Sequence, residues 1–132
     1  LAVAGLGTDR LRRPLQLAGC ATVPRVGSGP SWRRLGAAVV AAEDQRFFEH
    51  PGYDLEELRH ALAANATAGR ATRGASTISQ QLARLVYTGA ERELVRKVRE
   101  LLYAVELERT LGKARILDLY LAMAPWGSGG CG

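Results

Sequence analysis

Between Glu93 and Leu111 the apolar residues Leu94, Val98, Leu101, Leu102 and Val105 recur at i, i+4, i+7, i+8 and i+11. That is the spacing of a helix with one apolar stripe. Gly112 then stops it. From about residue 34 onward nearly every window carries a helical period, and no alternating β-branched run competes with it, so the expected fold class is mainly α. Arg34 to Ala42 reads as a short apolar helix. A second helix follows Asp54, whose carboxylate can cap orphan N–H groups with Glu57 in capping-box position; Leu55, Leu58 and Leu62 mark its expected buried face. Gly69 ends that helix, and Gly69 to Gly74 reads as a basic loop. Ser76 is the expected cap of a third helix, with Ile78, Leu82 and Leu85 on its core side and Thr88-Gly89 at its end. A fifth helix runs from Lys113 to Met123, ahead of Pro125.

A chain of 132 residues, 47% of them apolar, is long enough for one packed core. Cys20 and Cys131 are too few for a disulfide framework, and with only His50 and His60 to add they offer no zinc-ligand spacing. The formal charge is +5, and its distribution says more than its sum. Residues 1–42 hold six Arg and one Asp, while residues 43–132 balance twelve bases against twelve acids. Glu43 to Glu57 is acidic; Leu58 to Arg99 is basic. No run reaches the roughly 20 apolar residues of a membrane span. Residues 1–30 read as an N-terminal extension, the stub of a membrane anchor followed by a Pro24–Pro30 loop, and residues 31–132 as the folded domain. Leu17-Ala18-Gly19-Cys20 has the form of a lipoprotein processing box, but charged residues break the apolar region that such a signal requires.

Three segments carry residues suited to chemistry. On the fourth helix, Glu93, Arg96, Lys97 and Glu100 fall on one side, away from the apolar stripe. A salt-bridged solvent face accounts for them, Glu93 and Lys97 being an i,i+4 pair; so does a charged site. In Glu43-Asp44-Gln45-Arg46-Phe47-Phe48-Glu49-His50-Pro51-Gly52, a carboxylate pair follows an apolar helix, and an acid emerging from apolar surroundings suits proton transfer. Phe47 and Phe48 read as core packing, and His50 as bonding locally. In Gly74-Ala75-Ser76-Thr77-Ile78-Ser79-Gln80-Gln81, small residues open a helix whose hydroxyls and carboxamides suit sugar or phosphate oxygens. Helix capping explains Ser76 equally well, but explains Gln80 and Gln81 less well.

Taken in order, these segments resemble the peptidoglycan glycosyltransferases, which polymerise lipid II into glycan strands. The family pattern Glu-Asp-x-x-Phe-x-x-His-x-Gly is met by Glu43, Asp44, Phe47, His50 and Gly52. Gly-x-Ser-Thr-Ile-x-Gln-Gln is met by Gly74, Ser76, Thr77, Ile78, Gln80 and Gln81, and Arg-Lys-x-x-Glu by Arg96, Lys97 and Glu100. Lys113, Ile116, Leu117, Tyr120 and Leu121 fit a later motif. Four motifs in register span about residues 32–130.

The resemblance implies a lysozyme-like helical fold, C-terminally truncated here, with a cleft between a globular head and a membrane-dipping jaw. It makes Glu43 the general base on the acceptor 4-hydroxyl and Glu100 the second essential carboxylate, assisting departure directly or through a divalent cation, Mg²⁺ or Mn²⁺, on the diphosphate. Arg84, Arg96 and Lys97 would bind that diphosphate, Arg84 standing where Lys is usual. Asp44, Ser76, Gln80 and Gln81 would bind substrate. Leu85 and Ala122 replace two customary Asn, which bears on substrate positioning. The implied partners are lipid II, the growing glycan, the bacterial cytoplasmic membrane at its outer face and other cell-wall synthesis proteins. In that compartment Cys20 and Cys131 form either a bridge or two thiols.

Two other classes compete. A lysozyme-like hydrolase or lytic transglycosylase would use Glu43 as an acid. A non-catalytic helical domain would bind lipid-linked glycan or nucleic acid. Sixteen Arg among eighteen bases suit phosphate, yet only Tyr87 interleaves the basic block. Nucleic acid is therefore not an expected partner, and titration with generic duplex DNA should show none of the tight, steeply salt-dependent binding of a phosphate-tracking protein.

Overall fold

The computed structural model describes residues 26–69, 74–87 and 92–126. Among them there are five helices and no strand: α1 (Gly29–Glu43), α2 (Leu55–Ala68), α3 (Ile78–Tyr87), α4 (Glu93–Leu111) and α5 (Lys113–Met123). The mainly α expectation is met. Helix α5 has the expected bounds. Helix α1 begins five residues before the expected Arg34, because Pro30 lies in its first turn, where a missing N–H costs nothing. The processing-box residues, the two cysteines, Thr88-Gly89 and the middle of the basic loop lie outside the described residues.

Helix α3 is the centre of the packing, against α4 on one side and α5 on the other. Its Ile78, Ser79, Leu82 and Ala83 are wholly buried, and they join Phe47, Leu107, Ile116, Tyr120 and Leu121 in one core. Tyr87 and Tyr103 stack at 4.3 Å between ring centroids, pinning the end of α3 to the middle of α4. Helix α1 reaches α5 through a bond from Trp32 Nε1 to Asp118 Oδ1 of 2.9 Å. The two helices approach closely at Gly36, where an added Cβ would lie 3.3 Å from Leu117.

Two expected core faces are turned outward. In α2, Leu55, Leu58 and Leu62 are all exposed, and Ala61 is the buried residue. This helix stands beside the group formed by α3, α4 and α5, so its apolar side meets no helical partner there. In α4 the stripe itself is exposed: Leu94 is 78% accessible and Val98 51%, with Leu101 and Leu102 also open. The inward residues are Glu100, Ala104 and Leu107, again at helical spacing. Small Ala104 lets the chain at Gly52 sit against α4. The charged side around Glu100 is held inward by cations described below.

The Asp54 cap forms as expected, its Oδ1 accepting from the N–H groups of Glu56 and Glu57, each at 3.1 Å. Ser76, by contrast, does not cap α3. Thr77 does: its Oγ1 accepts from Gln80 N at 3.1 Å while Gln80 Oε1 accepts from Thr77 N at 2.9 Å, a reciprocal capping box. Either hydroxyl suits a cap by type, but Thr77 is buried and also donates to Gly52 O at 2.8 Å, which fixes the choice. Of the two adjacent aromatics, Phe47 is fully buried and Phe48 is 64% exposed.

Gly52 has φ +112°, and a Cβ there would lie 3.1 Å from the Ala104 carbonyl. Gly69, at the end of α2, has φ +67° and open space around it. Gly52→Ala combines backbone strain with overpacking and should lower stability by about 2–4 kcal/mol. Gly69→Ala should cost only about 1 kcal/mol. Urea unfolding of the two variants should give that order; equal midpoints would contradict the close approach at Gly52.

Candidate active site

Asp44 directly follows α1, and its carboxylate closes the loop that leads to α2. Its Oδ2 lies 2.7 Å from His50 Nε2 and accepts from Ile78 N at 3.0 Å. Gly52 N–H donates to the other ring nitrogen, Nδ1, at 3.1 Å, so the proton of the neutral ring is on Nε2 and His50 donates to Asp44. Both side chains are buried. His50 thus bonds locally, as expected. Asp44, expected to contact substrate, uses its Oδ2 internally and positions its neighbours, holding Glu43 on one side and the first N–H of α3 on the other, while it also borders the cleft beside Glu43.

Behind this pair stands a second, half-buried network. Lys113 Nζ donates to His50 O and to Glu108 Oε1, both at 2.6 Å, and lies 4.5 Å from the centre of the Phe47 ring. Ser79 Oγ donates to the same Glu108 oxygen at 2.6 Å. Lys113, Glu108 and Ser79 had no role in the sequence reading. The signal for Lys113 was its place in the last motif; nothing in the local pattern pointed to Glu108.

Glu43 itself is exposed at the end of α1, where apolar surroundings were expected. It borders a cleft of about 230 Å³ with Asp44, Asp54, Glu57, Ser76 and Thr77. Gln81 Nε2 donates to Glu43 Oε2 at 3.4 Å, and Gln81 Oε1 accepts from Tyr120 Oη at 2.8 Å. Burial, and next the charge of Glu43, push the Tyr120 phenol above its ordinary pKa.

The second carboxylate is placed differently. Glu100 is 2% exposed and faces three cations: Arg96 Nε at 3.4 Å, Lys97 Nζ at 3.4 Å and Arg84 Nε at 3.9 Å. Lys97 also donates to Ser76 Oγ at 3.2 Å. Glu100 Oε1 and Arg96 Nε have no hydrogen-bond partner among the described residues. They attract each other as charges without the alignment of a bond. A buried carboxylate would be costly alone; three cations around one leave a net positive corner suited to a larger anion. The salt-bridged solvent face is therefore excluded for Glu100.

Helix α3 joins the two halves. Gln81, which touches Glu43, and Arg84, which approaches Glu100, lie one turn apart, a rise of about 4.5 Å. Glu43, Gln81, Arg84, Arg96, Lys97, Glu100 and Ser76 are thus brought along one helix, while the carboxamide oxygen of Gln80 serves the capping box. A wider cleft of about 890 Å³ lies on the other side of the loop, near Arg46, Arg59 and His60. Arg46 there is already paired with Glu49, Asp54 and Glu56, so that cleft lacks the converging cations of the Glu100 corner.

A family model described as transglycosylase matches residues 28–132. A biosynthetic peptidoglycan transglycosylase of Alcanivorax borkumensis is 47% identical over 93 residues, 70% of this chain and 38% of that protein. A protein of the same description from Thiobacillus denitrificans is 44% identical over 95 residues, 72% of the chain and 41% of that protein. Penicillin-binding protein 1A of Haemophilus influenzae is 47% identical over 89 residues, 67% of the chain and 10% of that protein. The chain thus spans about two fifths of the length of the two transglycosylases.

Asp44→Ala removes the one oxygen, Oδ2, that accepts from both His50 Nε2 and Ile78 N, and leaves two buried donors without it. Chemical denaturation should show a loss of about 1–3 kcal/mol, and the Ile78 amide should exchange faster. An unchanged Ile78 exchange rate would show that Asp44 does not anchor α3.

Proposed function

From its membership of the transglycosylase family, we propose that this chain supplies the reacting groups of a peptidoglycan glycosyltransferase, which polymerises lipid II into β-1,4 glycan strands and releases lipid diphosphate. The observation that carries the reading is the buried Glu100 among Arg84, Arg96 and Lys97. Departure of a diphosphate develops negative charge, and fixed cations in a partly closed corner are what such a step needs. Glycosidic hydrolysis releases a neutral sugar hydroxyl and offers these cations no such charge, which favours transfer over the hydrolase reading.

In this reading Glu43 takes the proton from the 4-hydroxyl of the acceptor GlcNAc. The freed oxygen attacks the anomeric carbon of the donor MurNAc from the face opposite the leaving group. The bond to the diphosphate breaks as the new one forms, with inversion. Exposure of Glu43 beside a cleft leaves room for the acceptor, and Gln81 orients the carboxylate. Ser76, held by Lys97, and the free amide end of Gln80 lie on the donor side.

In this reading a divalent cation, Mg²⁺ or Mn²⁺, would be carried by the diphosphate and meet Glu100 as a protein carboxylate; among the described residues no cluster of His, Cys, Asp and Glu could hold one by itself. When bound it supplies charge neutralisation to the diphosphate oxygens. The site of action in this reading is the outer face of the bacterial cytoplasmic membrane, with lipid II, the growing strand and other cell-wall synthesis proteins as partners. Among the described residues no helix is long and apolar enough to cross a membrane.

The full-length protein, given labelled lipid II in detergent with Mg²⁺, should build strands and leave preformed glycan intact. Glu43→Gln should lower the rate by about 10²–10⁴-fold, and chelation should slow the wild type until Mg²⁺ is restored. Strand growth that persists in Glu43→Gln would remove Glu43 from the role of base. Cleavage of preformed glycan without polymerisation would restore the hydrolase reading.

A further inference from the structure

We infer that Tyr120, acting through Gln81, is a positioning residue for Glu43. The inference rests on the reading of Glu43 as the general base and adds the group that orients it. The hydrogen bonds run in one direction: Tyr120 Oη donates to Gln81 Oε1 at 2.8 Å, and Gln81 Nε2 donates to Glu43 Oε2 at 3.4 Å.

A carboxamide has one accepting end and one donating end. Turned over, Gln81 would set its oxygen against the Glu43 carboxylate, oxygen to oxygen. A phenol that donates to Oε1 selects the orientation in which the N–H₂ group meets Glu43. Burial keeps that phenol protonated and therefore a donor. The donor is also fixed in place. Tyr120 is 7% exposed, its ring meets that of Trp126 edge to face at 6.4 Å, and Trp126 Nε1 is tied to Leu121 O at 2.7 Å. Gln81 is fixed at its backbone, with its N–H on Thr77 O at 2.9 Å. The two ends of the relay thus stand on α5 and on the first turn of α3. The exposed carboxylate at the end of α1 takes its orientation from them.

Other charged groups near Glu43 do not supply this orientation. Asp44, Asp54 and Glu57 share its cleft and are carboxylates, unable to donate when ionised. His50 is bonded to Asp44, and Arg84, Arg96 and Lys97 are gathered around Glu100. A donor to a carboxylate stabilises its charged form. Removing it leaves the carboxylate of Glu43 without the bond that orients it.

The test is the steady-state rate of lipid II polymerisation by the full-length protein, comparing wild type, Tyr120→Phe, Gln81→Met and the double variant. Tyr120→Phe keeps the buried ring and deletes only the hydroxyl. It should lower kcat by about 5–20-fold, a part of the usual general-base contribution, with KM for lipid II changed less than about twofold. In the Gln81→Met background, Tyr120→Phe should add less than about twofold, because the two residues act in series. An unchanged kcat in Tyr120→Phe overturns the inference, and partial unfolding is told apart because it would cost the same in the Gln81→Met background. A full additional loss in the Gln81→Met background overturns the route through Gln81. Glu43→Gln separates the levels: if it remains active, the reading of Glu43 as base fails and the relay with it; if it is inactive while Tyr120→Phe keeps its full kcat, only the relay fails.

Discussion

The carboxylate of Asp44 accepts from the imidazole of His50 and from the first N–H of α3, and the placement of Glu43 and of the start of α3 follows from those two bonds. Both partners are buried donors whose loss of water has to be matched by an acceptor. A single residue at the end of α1 therefore ties three pieces of chain: the helix that presents Glu43, the loop through Gly52, and the helix that presents Gln81 and Arg84. Lys113, Glu108 and Ser79 close the same junction from behind with charged bonds of 2.6 Å. Glu43 can stand exposed because the residue after it is so firmly held.

Helix α4 shows a different constraint. Glu100, on its polar side, turns inward while its apolar stripe faces outward, which reverses the arrangement an isolated amphipathic helix suggests. The reversal is tolerable because Glu100 does not enter the interior as a lone charge. Arg96 and Lys97 come from the preceding turn of α4 itself, and Arg84 comes from α3. Continuous packing resumes one turn later at Ala104 and Leu107, where small and aliphatic side chains meet α3 and the Gly52 loop. One face of α4 thus changes from a charged corner to core within two turns.

Much of this was legible in the amino-acid sequence because it depends on short-range chemistry. Asp54 caps its helix through neighbours two and three residues away. Ile78 and Leu82 are core on a strongly amphipathic helix, and Gly112 separates two helices whose bounds follow the pattern closely. The faces of α2 and α4 were not legible. Periodicity states that Leu55, Leu58 and Leu62, or Leu94 and Val98, lie on one side of a helix; it is silent on whether a neighbour covers that side. The cap at Thr77 instead of Ser76 was equally hidden, since the deciding contact is with Gly52, 25 residues earlier. Motif positions drew attention to Glu43, Glu100 and the three cations. The internal use of Asp44 and the Tyr120–Gln81–Glu43 chain depend on long-range packing, which no local window contains.

The capping box at Thr77 and Gln80 has a consequence for how this region can vary. In the proposed reading the carboxamide of Gln80 serves the donor side, and its oxygen also accepts from Thr77 N at the opening of α3, the helix that carries both Gln81 and Arg84. Recognition and helix initiation are therefore written in the same side chain. Evolution cannot retune one at position 80 without disturbing the other, and Glu, the other residue able to complete such a box, would bring a negative charge toward the place where an anionic donor must lie.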